Sequence, residues 1–281
     1  MDNKELFSKL ILSRPYSLAS IIALGFICYL LVNQKITSQI VFVGIIIVSS
    51  IIWLFSMYFG EYLHNKTNKG RSNINFFIPA ILFVLLIALN YNNLTNIAIL
   101  VILAFLVYVY SLKAKNTWLS PYAFIFRGSV ELTVILLFLL QRISVFLEQI
   151  TFVISIYLIT TSRNQIGDLR DKETDKYTFV KKYGEQITKI ISIVLLVLVI
   201  TLNFSLLSFP LVLTLTIILF TKNYYIQHNI YVISTFFFLI NFIFILLSID
   251  IIISNLIFVG VILEYTYHFV PRESDKCWGL Q

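Results

Sequence analysis

The chain has 281 residues, 59% of them hydrophobic and 12% charged, with a formal net charge of +7. Soluble domains run at roughly 45–50% apolar and about 25% charged residues, so this composition excludes an ordinary water-soluble fold. The apolar residues gather in continuous blocks of about 17–22, the length needed to cross roughly 30 Å of hydrocarbon as helix. They do not alternate with polar residues as the roughly ten-residue strands of a membrane β-barrel do.

In chain order the blocks predict helices near Ser17–Asn33, Ile40–Leu63, Ile74–Tyr91, Leu94–Leu112, Pro121–Leu140, Ser144–Gln165, Gln186–Phe204, Ser205–Thr221, Ile230–Ile249 and Ile251–Phe269. Only Ser248 to Asp250 separates the last two, so the expected fold is an all-α, polytopic transmembrane helical bundle of nine or ten helices, one domain over 1–281. The charged N-terminus runs into the first block without a small-residue cleavage pattern, which predicts a retained helix and not a removed signal. The two cysteines, Cys28 and Cys277, have the spacing of neither a disulfide framework nor a metal site.

Lys and Arg fall on one side of this topology. Lys4, Lys9 and Arg14 precede the first helix, Lys66, Lys69 and Arg71 follow the second, Lys113 and Lys115 the fourth, Lys222 the eighth, and Arg272 and Lys276 the last. The opposite loops hold little beyond Lys35 and Arg142. By the positive-inside bias the basic side is expected to be cytoplasmic. The same asymmetry, facing anionic membrane lipids, accounts for the net charge, so no nucleic-acid partner is expected.

The densest run of charge follows the sixth block. Asp168, Asp171 and Asp175 stand at i, i+3 and i+7, which places them on one face of a helix. Crowded carboxylates favour a hard divalent cation such as Mg²⁺, shared with a phosphate. The alternative is a solvated juxtamembrane loop in which the acids pair with Arg170, Lys172 and Lys176 at little net gain. Both readings stand on spacing alone.

The run Asp168-Leu169-Arg170-Asp171-Lys172-Glu173-Thr174-Asp175, followed by Thr178-Phe179-Val180-Lys181-Lys182-Tyr183-Gly184, resembles the second aspartate-rich motif of the UbiA superfamily of intramembrane prenyltransferases. In that family the motif reads D-x-x-D-x-x-x-D and precedes a T-L-x-x-x-x-G segment; the spacer here lacks the family's common G-K-x. Arg14-Pro15 resembles the family's R-P entry to the first helix, and Tyr110-Ser111 with Lys113 resembles its Y-S-x-x-K loop. The family's first motif, N-D-x-x-D-x-x-x-D, departs furthest. Met57 and Tyr58 stand for the leading Asn-Asp, Glu61 for the middle acid and Asn65 for the last, with Asn68 following. One carboxylate and two amides hold Mg²⁺ more weakly than three carboxylates. The resemblance covers roughly Arg14 to Gly184, with motif loops expected near 57–72, 110–120 and 163–184.

The resemblance implies a UbiA-like bundle in a bacterial cytoplasmic membrane, with the motif loops on the cytoplasmic face, that transfers an isoprenyl group from an allylic prenyl diphosphate to an aromatic or other small lipophilic acceptor. Mg²⁺ would be held by Asp168, Asp171 and Asp175, aided by Glu61 and Asn65, and the diphosphate by Lys113, Arg170, Lys172, Asn68 and Arg163. Tyr58, Tyr62, Tyr110 and Asn164 would line the substrate pocket. A terpene cyclase needing no acceptor, and a non-catalytic relative or small-molecule transporter, are the competing functions. Arg127 and Glu131, four apart inside an apolar block, are expected to form a structural intrahelical or interhelical pair, as charge in hydrocarbon demands a partner. Glu264 and His268 read likewise, and His64 as a solvated interfacial residue.

Overall fold

The computed structural model describes residues 15–36, 38–65, 75–111, 117–173, 177–203 and 205–269. Twelve α-helices are present among them: α1 (Pro15–Asn33), α2 (Gln39–Asn65), α3 (Phe77–Leu89), α4 (Leu94–Ser111), α5 (Ser129–Leu139), α6 (Ile143–Glu148), α7 (Ile150–Arg170), α8 (Phe179–Tyr183), α9 (Glu185–Leu202), α10 (Phe209–Phe220), α11 (Tyr224–Leu246) and α12 (Ile251–Phe269). A 3₁₀ segment, Ser120–Gly128, leads directly into α5. No strand occurs among the described residues.

Six helical stretches are long and apolar enough to cross a membrane: Tyr16–Asn33, Gln39–Leu63, Leu94–Ser111, Ser120–Leu139, Glu185–Leu202 and Tyr224–Leu246. Three shorter apolar stretches, Phe77–Leu89, Leu206–Phe220 and Ile251–Tyr265, accompany them. The exterior is apolar, with Ile40, Val84, Phe105, Ile190, Phe220 and Leu256 all exposed, as a surface in contact with acyl chains requires. The chain is thus a multi-pass helical membrane bundle.

Helix α1 is central, packing on α2 and α5 on one side and on α11 on the other; α11 in turn meets α7, α10 and α12, and α7 meets α9. Leu24, Ile27, Trp53, Leu100, Tyr231 and Phe238 are among the core side chains with no appreciable exposure. A Cβ at Gly25 would lie 2.4 Å from Ser49 Oγ and 3.1 Å from Ile45 Cγ2, so α1 and α2 approach closely through a small residue. Membrane helices use this packing because apolar lipid leaves no hydrophobic force between them. Gly25→Leu is therefore expected to destabilise the fold by about 1–3 kcal/mol through overpacking. Gly44→Ala, on α2 with nothing within 4 Å of the added carbon, should not. Equal unfolding temperatures for the two variants in detergent would contradict this account.

Three predicted boundaries shift for local reasons. The eighth block begins as a 3₁₀ turn, Leu206–Ser208, because Ser205 Oγ accepts from the Leu207 N–H before α10 starts. Helix α11 begins at Tyr224, six residues before the apolar block, since Asn223 Oδ1 accepts from the N–H groups of Tyr225 and Ile226 and caps it. The sixth block divides at Gln149 into α6 and α7, and α7 continues to Arg170, beyond the expected end at Gln165. Arg163 to Arg170 are therefore helix, not loop. Side-chain polarity does not stop a helix whose charged side chains find partners in the surrounding bundle.

Candidate functional site

Every residue of α7 from Ile159 to Leu169 is buried, around the whole circumference of the helix. It is enclosed by α9, α11, α8, α5 and the 3₁₀ segment. A polar helix in that position must satisfy its side chains internally, since neither water nor lipid reaches them. Toward α9 it does so through serines: Ser162 Oγ donates to the Ser192 carbonyl at 2.8 Å, and Ser192 Oγ to the Ser162 carbonyl at 2.9 Å.

Toward α5 the partners are charged. Arg163 Nη2 donates to Glu131 Oε1 at 2.8 Å, with side chains only 7% and 13% exposed. Arg127, on the 3₁₀ segment, donates to the Tyr110 hydroxyl at 2.7 Å and stacks over the same ring at 5.1 Å. Its guanidinium also stands in the field of Glu131 and Asp168. Four elements thus bring Tyr110, Arg127, Glu131, Arg163 and Asp168 together, Arg163 and Asp168 buried and the other three half-buried, with two positive charges beside two negative ones. The expected pairing of the Arg127–Glu131 region is interhelical: Glu131 takes Arg163 as its bonded partner.

Not all of α7 is satisfied. Asn164 Nδ2 and both side-chain polar atoms of Gln165 are buried without a hydrogen-bond partner. Buried amides in that condition cost on the order of 1–3 kcal/mol each unless a water or ligand completes them. They lie about one turn before Asp168, where a water or another polar group would complete them.

At the end of α7, Asp171 occupies the C-cap position and Arg170 donates to both of its carboxylate oxygens, Nε to Oδ1 at 2.7 Å and Nη2 to Oδ2 at 2.6 Å. Arg170 Nη1 lies 3.0 Å from His228 Nδ1 on α11. Lys172, in the loop beyond, pairs with Glu185 at 2.8 Å; the hydrogen bond it donates to this carboxylate holds the lysine above its usual range. Lys182 donates to the Tyr122 hydroxyl at 3.4 Å and lies over the Tyr122 and Tyr183 rings.

Of the residues expected from sequence, Asp168 is buried within the helix and Asp171 caps it. Asp175, Asn68 and Lys113 lie outside the described residues, as do the side chains of Asn65, His64 and His268. Among the described residues no three His, Cys, Asp or Glu side chains converge. Glu61 is half-buried near the end of α2. Tyr58 is buried in the main apolar core, and Tyr62 packs on Phe76 with ring centroids 5.2 Å apart. Helix α2 packs on α4 and α5, the helices that also frame the network around α7. Arg127 and His228 differ in what the sequence shows of them. Arg127 was visible as a charge inside an apolar block, whereas His228, just inside a helix start, had none.

No protein-family model, no curated protein and no solved structure matches this chain.

Proposed function

We propose that the chain is an intramembrane prenyltransferase of the UbiA type, which ionises an allylic prenyl diphosphate and transfers the isoprenyl group to a small lipophilic acceptor. The observation that carries this reading is the placement of the D-x-x-D-x-x-x-D run: its first two aspartates end a buried polar helix whose preceding turn holds unpartnered amides. In the proposed topology the bundle has nine or ten crossings and this end faces the cytoplasm of a bacterial cell.

The donor set suits Mg²⁺. Asp168 and Asp171 offer hard carboxylate oxygens, and Arg170 donates to both oxygens of Asp171. Asp168, Asp171 and Asp175 would hold the ion, which when bound neutralises charge developing on the leaving diphosphate. The chain's own residues do the rest. Arg170 presents N–H donors to the diphosphate at the end of α7, and Lys113 and Asn68 belong to the same proposed set. Asn164 and Gln165 supply amide groups to a polar part of donor or acceptor. Arg163 supports Glu131 and so holds α5 and α7 together, while Tyr110 fixes Arg127. The enclosing helices exclude water from the allylic cation.

Purified protein incubated with prenyl diphosphates of graded chain length is expected to release diphosphate when Mg²⁺ and a phenolic or quinoid acceptor are present, and not when Mg²⁺ is chelated. A cyclic hydrocarbon or alcohol formed without acceptor would replace transfer by cyclisation. Protein inert with every chain length and acceptor would end the enzymatic reading.

A further inference from the structure

We infer that His228 is a positioning residue for diphosphate binding, acting through Arg170. The inference rests on the proposed diphosphate site and adds to it a residue from a different part of the chain, 58 positions from Arg170 in sequence.

A guanidinium carries five N–H donors and no acceptor, so in the 3.0 Å contact Arg170 Nη1 donates and His228 Nδ1 accepts. Two further donors are spent on Asp171. Three of the five are therefore fixed, and they fix the guanidinium plane: one edge is closed by the carboxylate, one Nη1 hydrogen by the imidazole, and one face lies 5.9 Å from the Tyr225 ring. One hydrogen on each terminal nitrogen remains, held in a defined direction. Two donors on neighbouring terminal nitrogens are the number that a bidentate phosphate contact uses. An arginine left to Asp171 alone would swing about its own backbone neighbour, since the two are adjacent in sequence and move together.

The backbone of α7 is shaped for this contact. A Cβ at Gly167, one turn before Arg170, would lie 3.3 Å from both Cδ2 and Nε2 of His228. The absent side chain lets the imidazole lie against the helix and reach Arg170. Histidine also ties α11 to the end of α7, so the position of the diphosphate donor is set by the packing of two helices, not by loop conformation. Positioning of this kind lowers the ordering cost of binding.

The test is calorimetric binding of inorganic diphosphate with Mg²⁺ to the full chain in nanodiscs. His228→Leu, which removes the acceptor, is expected to weaken binding at least tenfold, to about the level of Arg170→Met. His228→Asn, whose Oδ1 can take the place of Nδ1, should stay within threefold of wild type. The double variant His228→Leu/Arg170→Met should be no weaker than Arg170→Met alone, because one residue acts through the other. If the wild type binds and His228→Leu binds equally well, or if His228→Asn fails as badly as His228→Leu, or if the two losses add, the inference is overturned while the diphosphate site stands. If the wild type itself does not bind diphosphate, both fall together.

Discussion

Asp168→Asn and Asp171→Asn are expected to reduce Mg²⁺-dependent release of diphosphate by about 10²- to 10³-fold, the cost of removing one preorganised charge from a site of developing charge. Asp175→Asn belongs to the same series. The comparison that gives the result its meaning is thermal stability. If Asp171 served only as a surface counter-ion for Arg170, its loss would be small, since pairs of that exposure contribute little, and activity would be unchanged. A catalytic role instead predicts a large loss of rate with a nearly unaltered unfolding temperature. Asp168 differs, being buried in the field of Arg127, so its variant should lose stability as well as rate. Retention of full activity in Asp171→Asn would remove the second motif from the mechanism.

The second large effect is structural. Arg163→Met strands the Glu131 carboxylate in the bundle interior, where breaking a buried pair from one side costs about 3–5 kcal/mol. The variant is expected to unfold at markedly lower denaturant or temperature in mixed micelles. Glu131→Gln/Arg163→Met, which removes both charges, should recover more than half of that loss. The same pair of variants separates two roles for Arg163. The family resemblance counts it among the diphosphate donors, whereas the structure engages it with Glu131. If Arg163 acted mainly on the substrate, Arg163→Met would lower affinity for diphosphate with little change in unfolding, and the double variant would restore nothing.

Much of the bundle was legible because a membrane span is a local property. Twenty consecutive apolar residues announce themselves whatever they pack against, and so Gln186–Phe204 became α9 over Glu185–Leu202 and Leu94–Leu112 became α4 over Leu94–Ser111. Capped starts were less visible. Asn223 lies in a polar stretch, and only its side-chain bonds show why α11 begins there and not at Ile230. The end of α7 lay five residues beyond the expected Gln165, because polarity reads as loop until a partner such as Glu131 is seen facing Arg163.

The apolar helical architecture and the aspartate-rich run behind the sixth block are legible in the sequence alone. These follow from composition and spacing along a single segment. Which charges meet is set by helix packing. Arg163 takes Glu131, Arg127 takes Tyr110, and Arg170 reaches His228, because a pairing between helices depends on their rotation and on close approaches such as the one Gly167 permits. The spacing of residues within each helix carries no record of the partner helix, so the site's connections had to come from packing.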